Sequence, residues 1–212
     1  MADDLRFDEA SWEERYRASA NIWSGRPNAA FVAAVADLAP GTALDAGCGE
    51  GGDATWLAGH GWRVTAMDFS TTALERGRQR ARAQGEEVDG RIAWRHTDLT
   101  AWVPGEERFD LVSAMFVHLA GETMTSLIAR LAEVVAPGGT LVVAGHDPSD
   151  EHMAAHRPSV PGMFFSAEEV AATLDAGSWD VVFAGSRLRP PGGHEPTDLP
   201  VHDTVLVARR RP

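Results

Sequence analysis

The chain has 212 residues, 44% of them apolar, with 31 acidic against 19 basic side chains and a net charge of −12. That length and apolar content suit one domain with a core between layers of secondary structure, and the excess of negative charge repels a phosphate backbone, which argues against nucleic acid as a partner. The longest apolar runs, residues 29–36 and 141–145, fall far short of the roughly 20 residues that cross a bilayer, and the single cysteine, Cys48, leaves neither an intrachain disulfide nor a Cys-based metal cluster.

Helical patterns run over about Asp8–Ala18 and Ala29–Leu38. A first strand, Thr42–Ala46, turns at glycines into a helix over Gly52–His60, and a second strand, Trp62–Met67, ends at Asp68. Ser70 offers its hydroxyl to an orphan backbone N–H and marks the start of a helix that stops near Gly85. Ile92–Arg95 reads as a third strand leading to an HTDL turn, and Phe109–Phe116 as a fourth, apolar enough for the sheet centre. Thr123–Val135 carries Leu127, Ile128, Leu131, Val134 and Val135 at helical spacing, is ended by the turn Pro137-Gly138-Gly139, and precedes a buried fifth strand, Thr140–Ala144. The stretch from His146 to Gly162 is long for a loop in a compact domain; loops of that size are usually functional or disordered, and this one is a candidate substrate lid. Ser166 and Glu169 have the spacing of a capping box at the start of a helix reaching about Asp175. Trp179–Gly185 and Val201–Arg209 are two last strands, separated by the Pro/Gly-rich region Pro190–Pro200. This alternation predicts an α/β domain, a parallel sheet with helices on both faces.

In ALDAGCGEGGD the first strand runs straight into Gly47, Gly49 and Gly51, where the missing β-carbons let the backbone come within contact distance of a ligand. Asp68 follows 21 residues after Gly47, at the end of the next strand, where a carboxylate can take both hydroxyls of a ribose. Together these features specify a nucleoside. A dinucleotide site seats its pyrophosphate at the helix start, but Glu50 and Asp53 put negative charge there, and Asp45 suits a cationic amine. The pattern favours a nucleoside that bears an amino acid.

Five segments in order, DAGCGEG, AMDFS, HTDL, FDLVSAMFVHL and APGGTLVV, resemble the motifs of the class I S-adenosylmethionine-dependent methyltransferases over most of the chain. The resemblance implies a Rossmann-like, seven-stranded, mostly parallel sheet with an antiparallel last strand. It implies a single domain over 1–212, in which 1–40 is a helical cover for cofactor and substrate and 41–212 is the core. S-Adenosyl-L-methionine would be the methyl donor and S-adenosyl-L-homocysteine the product. Carried over residue by residue, Asp45, Gly47 and Gly49 would surround the methionine part, Asp68 and the Phe69 backbone would hold the ribose, and Asp98 with Leu99 would meet the adenine edge. Ala114 and Met115 would line the methionine and sulfonium side. The stretch WEERYRASANIWSGRPN is similar to that of small bacterial members akin to the tellurite-resistance and thiopurine methyltransferases, where an aromatic and an arginine close over the cofactor; Trp23 and Arg15 are their counterparts. Trp12 and Tyr16, four apart on a helix, read instead as a core-facing stripe.

Methyl transfer from a sulfonium is an in-line displacement that can draw up to about 7–11 kcal/mol from positioning alone. A hydroxyl or protonated amine as acceptor needs a base; a thiolate needs none. His118, just past the fourth strand at the carboxyl edge where ligands bind in such sheets, is the first candidate base, and its alternative is a capping or packing histidine. His146, after the fifth strand and beside Asp147 and Pro148, is the second, and its alternative is a turn former. His152 and His156, four apart among acids, imitate a metal site but read as solvated loop polarity, so no metal is expected. Cys48, with acids around it, is a small filler under the turn. Met153, Met163, Phe164 and Phe165 offer an apolar acceptor pocket. The expected protein is a cytoplasmic methyltransferase acting on the N, O or S atom of a small-molecule acceptor, without nucleic-acid or membrane partners, monomeric or homodimeric. A nicotinamide-dependent oxidoreductase, against which the acid-rich glycine turn counts, and a non-catalytic nucleoside-binding protein are the alternatives.

Overall fold

The computed structural model describes residues 8–20, 22–150, 163–189 and 201–212. Its strands are β1 (Thr42–Ala46), β2 (Arg63–Asp68), β3 (Ile92–His96), β4 (Phe109–Met115), β5 (Val135–His146), β6 (Trp179–Leu188) and β7 (His202–Arg210). They form one sheet in the order β3-β2-β1-β4-β5-β7-β6. Neighbouring strands from β3 to β5 pair in parallel, while β7 runs antiparallel to both β5 and β6. The expected Rossmann-like sheet with its antiparallel last strand is therefore present.

The helices are α1 (Glu9–Ala18), α2 (Ala29–Val35), α3 (Gly52–Gly59), α4 (Thr71–Gln84), α5 (Glu86–Asp89), α6 (Gly121–Glu133) and α7 (Ala167–Ala171). Strand alternation splits the core into two layers. Leu44, Val112, Leu141 and Val143 pack with Leu127, Ile128 and Leu131 of α6, whereas Ala43, Leu111, Val142 and Ala144 pack with Phe31 of α2 and with Leu57 and Ala58 of α3. No helix among the described residues is long and apolar enough to cross a membrane.

Local signals hold where the partner groups are near in sequence. Ser70 caps α4 by accepting from the Ala73 N–H, Asn28 caps α2 by accepting from Ala30 and Phe31, and Ser166 with Glu169 closes both bonds of a capping box. Several boundaries differ from expectation, among them that α2 ends at Val35 and β5 runs on to His146. Pro137-Gly138-Gly139 does not end α6; it sits inside β5, because Val135 already pairs with Phe109 before the register shifts to Leu111 and Thr140, so these residues form a bulge with Gly138 at φ 77°. α7 stops at Ala171 rather than near Asp175, since Thr173 and Leu174 donate to Val170 and Ala171, three residues back, which tightens the end of the helix. β6 continues past Gly185 to Leu188 because β7 pairs along its whole length.

Gly77 in α4 marks a close approach. A β-carbon there would lie 2.5 Å from two ring atoms of Trp94, which also fills the space over Gly51. Alanine improves helix propensity by up to about 1 kcal/mol, but overpacking a filled core costs about 1–3 kcal/mol. Gly77→Ala is thus expected to lower stability by up to about 2 kcal/mol in urea unfolding, and a stabilised variant would show that Trp94 gives way freely.

Candidate active site

Strand order reverses between β1 and β4, the place where an open α/β sheet leaves a crevice at the carboxyl ends of its strands. A cavity of about 460 Å³ opens there, within the range of small-molecule sites. The turn after β1 forms its floor. Gly47, Gly49 and Gly51 have φ of 74°, 52° and 69°, the left-handed region that side chains disfavour. A β-carbon on Gly47 would meet Val117 at 2.8 Å, and one on Gly49 would meet the Tyr16 hydroxyl at 3.0 Å. The Gly47 and Cys48 N–H groups donate to the Met67 carbonyl, which ties the turn to the end of β2.

Three carboxyl groups converge on this turn. Asp68 accepts from the Gly49 N–H (2.8 Å) and the Ser70 N–H (2.9 Å), one on each oxygen; an ionised carboxylate offers about four lone-pair sites, which leaves about two for a ligand. Burial pushes its pKa up against those two donors. Asp45 Oδ1 accepts from the Ser113 hydroxyl at 3.1 Å, whereas its buried Oδ2 makes no hydrogen bond of normal geometry, although the Ala54 N–H favours the ionised carboxyl. Burial, then the nearby charge of Asp53, pushes Asp45 up to about 8. Asp53 accepts from the Asn28 N–H at 2.6 Å, and burial raises it to about 6 in spite of that bond. Cys48 is half-buried; burial, then Asp68 and Asp45, raises its thiol well above the ordinary value, the state of an inert side chain rather than a nucleophile.

Glu50 plays a different part from the one its position in the turn suggested. It is buried and pairs with Arg76 (2.8 Å) and Arg80 (3.8 Å) of α4, so its charge is answered within the protein instead of standing free against a phosphate. Arg76 also donates to the Tyr16 and Ser19 carbonyls, both at 2.6 Å, and Glu50 accepts from the Trp23 N–H at 3.3 Å. Glu13 of α1 fastens the cover at a second point, accepting from the hydroxyls of Ser70 and Thr72, both at 2.5 Å. Burial opposes ionisation of Glu13, but these donors outweigh it and hold the carboxyl at about 2.

Trp12 and Tyr16, read as a core stripe, both line the cavity, as does Trp23. Tyr16 is nonetheless buried, and its hydroxyl accepts from Trp23 Nε1 at 3.1 Å. Burial, with Asp68 adding to it, raises the Tyr16 pKa and keeps the hydroxyl protonated. Arg15 is not among the lining residues; its guanidinium lies 4.8 Å from the centre of the Trp12 ring.

Asp45, Gly47, Gly49, Asp68, Phe69, Asp98, Leu99 and Met115 all line the cavity. Asp98 Oδ1 also accepts from the N–H and hydroxyl of Thr100. Ala114 does not line it: adjacent strand residues point to opposite faces, and Ala114 lies in the α6 layer with no exposed surface.

His118 and His146 are brought together on the cavity wall, their ring centroids 5.8 Å apart. His118 packs against Trp12 at 5.3 Å, and His146 against Phe116 at 5.0 Å and Phe164 at 6.2 Å. Phe116, Val117, Leu119 and Arg189 complete the wall and were not singled out in the sequence. Phe116 has φ 56°, a strained conformation for a bulky residue of the kind that gathers at functional sites. His152, His156, Met153 and most of the expected lid lie outside the described residues. Among the described residues no group of three or more His, Cys, Asp or Glu is placed to hold a metal.

Residues 43–139 match the family model described as a methyltransferase domain. These 97 residues of the 212 are similar to a methyltransferase domain. An uncharacterized methyltransferase of Mycobacterium tuberculosis is 36% identical over 115 residues, 54% of this chain and 55% of that protein. The chain spans about half the length of the curated relatives it matches. A solved structure described by the conversion of a disulfide bond into a thioacetal group during echinomycin biosynthesis is similar at 28% identity with a TM-score of 0.74, covering 96% of this chain and 92% of that one. An N-methyltransferase from Bradyrhizobium japonicum in complex with S-adenosyl-L-homocysteine shares the fold at 22% identity and a TM-score of 0.69, covering 96% and 98%. The matched methyltransferase segment holds the glycine turn, Asp68, Asp98 and His118; Trp12, Tyr16, His146 and Arg189 lie outside it.

Proposed function

We propose that this protein transfers a methyl group from S-adenosyl-L-methionine to a small-molecule acceptor. The observation that carries the reading is the orphaned, buried Oδ2 of Asp45 in the same cavity as Asp68 and the two histidines. A buried carboxyl oxygen without a partner is costly unless a ligand supplies one, and a cationic amine, which stabilises the ionised form, is the complement. Asp45 would take the amine of the donor, Asp68 the ribose hydroxyls, and Asp98 with Leu99 the adenine edge. S-Adenosyl-L-methionine supplies a methyl already activated by its sulfonium. The chain's own contribution is orientation, exclusion of water by Trp12, Tyr16 and Trp23, and a proton acceptor at the acceptor atom, for which His118 stands first. Thermal-shift titration with S-adenosyl-L-homocysteine and with NAD tests the donor: stabilisation by the former alone is expected, and stabilisation by NAD alone would reverse the reading.

The Asp45 titration makes a further prediction. With a pKa of about 8, its carboxyl is mostly protonated in the free protein near pH 6 and mostly ionised above about pH 8. A cationic amine binds the ionised form, so binding releases a proton over that window. Affinity for S-adenosyl-L-homocysteine is expected to rise with pH by up to about tenfold per unit until about pH 8, then level, and Asp45→Asn should flatten the slope. Calorimetry in buffers of different ionisation enthalpy reads both effects; an affinity indifferent to pH in the unsubstituted chain removes Asp45 as the partner of the amine.

A further inference from the structure

Beside His146 the cavity wall is backed by two side chains that the methyl-transfer reading leaves without a role. Asp203 of β7 is buried and accepts from Arg189 through both oxygens, Nε to Oδ2 at 3.1 Å and Nη2 to Oδ1 at 2.5 Å. Arg189 Nη2 in turn lies 3.4 Å from His146 Nδ1. A guanidinium donates and never accepts, so this contact requires Nδ1 without a hydrogen, and the neutral ring then carries its proton on Nε2. The adjacent positive charge also opposes a second proton on the ring. The charged and titratable groups placed beside His146 include Arg189, Asp203, His118 and the neighbouring Asp147, whose Oδ1 already accepts from the Ser149 N–H and hydroxyl.

We propose that Asp203 and Arg189 are positioning residues that hold His146 as a neutral hydrogen-bond donor through Nε2, leave proton removal to His118, and thereby select an acceptor hydroxyl on a flat ring. The inference rests on the methyl-transfer reading. An acceptor atom that answers both imidazoles must give a proton to one and accept a hydrogen bond from the other. A hydroxyl oxygen does both; a protonated amine has no lone pair to offer, and a thiol sulfur is a weak acceptor. Two hydrogen bonds of about 2.8 Å that meet at a hydroxyl oxygen near the tetrahedral angle span about 4.6 Å between nitrogens, a separation that ring nitrogens can reach with the ring centroids 5.8 Å apart. Trp12 and Phe116, in contact with the two histidines, offer aromatic faces to a planar acceptor. In the transfer, an oxygen lone pair forms the new bond to the methyl carbon and the carbon–sulfur bond of the sulfonium breaks with its electron pair left on sulfur. The hydroxyl proton goes to a ring nitrogen of His118, and the developing charge on oxygen is met by His146 Nε2–H.

Long-range proton–nitrogen NMR of the imidazoles in the full chain tests the relay without any turnover. His146 is expected to stay neutral with Nε2 protonated from about pH 5.5 to 8, and Arg189→Met, which removes the cation and keeps the Asp203 carboxylate opposite His146, to let the ring take up a second proton within that range. A proton on Nδ1, or an imidazolium at His146 near pH 6.5 in the unsubstituted chain, overturns the proposal whether or not the variant folds. For the acceptor class, catechol, benzylamine, protonated near neutral pH, and benzyl mercaptan, a neutral thiol there, serve as probes with S-adenosyl-L-methionine. Catechol should be methylated faster than the others by about tenfold or more, the equivalent of one hydrogen bond; equal rates, a reversed order or no turnover of catechol overturns the hydroxyl selection. Failure to bind S-adenosyl-L-homocysteine would instead sink the underlying methyl-transfer reading, while the NMR result is read independently of it.

Discussion

Asp68→Ala is expected to weaken S-adenosyl-L-homocysteine binding by roughly 10²- to 10⁴-fold, since hydrogen bonds to a charged group contribute about 1.5–3 kcal/mol each and two ribose hydroxyls would lose their acceptor. The same carboxylate holds the Gly49 and Ser70 N–H groups, so the variant also loosens the turn on which the ligand lies. Asp68→Asn keeps one acceptor oxygen and should fall between the two. Titration calorimetry, with circular dichroism to establish that the variants fold, measures the effect. An Asp68→Ala affinity within about twofold of the unsubstituted chain, far less than one hydrogen bond, would remove the ribose assignment.

Glu50→Ala is expected to cost about 3–5 kcal/mol, because removing one member of a buried ion pair strands the charge of the other. Here two guanidinium groups are stranded, Arg76 and Arg80, and Arg76 is also the clamp on the Tyr16 and Ser19 carbonyls. The loss should therefore appear first in the N-terminal cover. Trypsin is expected to cut at Arg15 or Arg17 much sooner in the variant than in the unsubstituted chain, and the urea midpoint should fall with it. A loss below about 1 kcal/mol, the scale of exposed pairs, together with an unchanged cleavage rate, would show that the cover does not hang on this residue.

These two acids show how far local reading reaches. Asp68 stands at a strand end at a set distance from a glycine turn, and its bond to the Gly49 N–H follows from that geometry. Glu50 stands in the same turn and carries the same charge, yet its side chain meets two arginines 26 and 30 residues away. Its meaning depends on how α4 packs against the turn, which no spacing rule encodes. Trp12 and Tyr16 are a similar case: the four-residue spacing marks one face of a helix, but whether that face meets core or cavity depends on where α1 docks, and Glu13 decides that through Ser70 and Thr72. The Ala114 and Met115 pair was separable in principle, since period-2 alternation alone sends neighbours to opposite faces.

By itself, then, the sequence determined the parallel core, the helix caps and the turn that would hold the donor, because these arise from backbone conformation and contacts between residues close in the chain or at the ends of adjacent strands. Only the tertiary structure decided the wall where the acceptor would lie. His118 follows β4, His146 ends β5, Arg189 follows β6 and Asp203 lies on β7. They meet because the antiparallel β7 sits between β5 and β6 and sets Asp203 opposite both His146 and Arg187. Ion pairs and tautomers are properties of such meetings, and they form only when the sheet has closed its order.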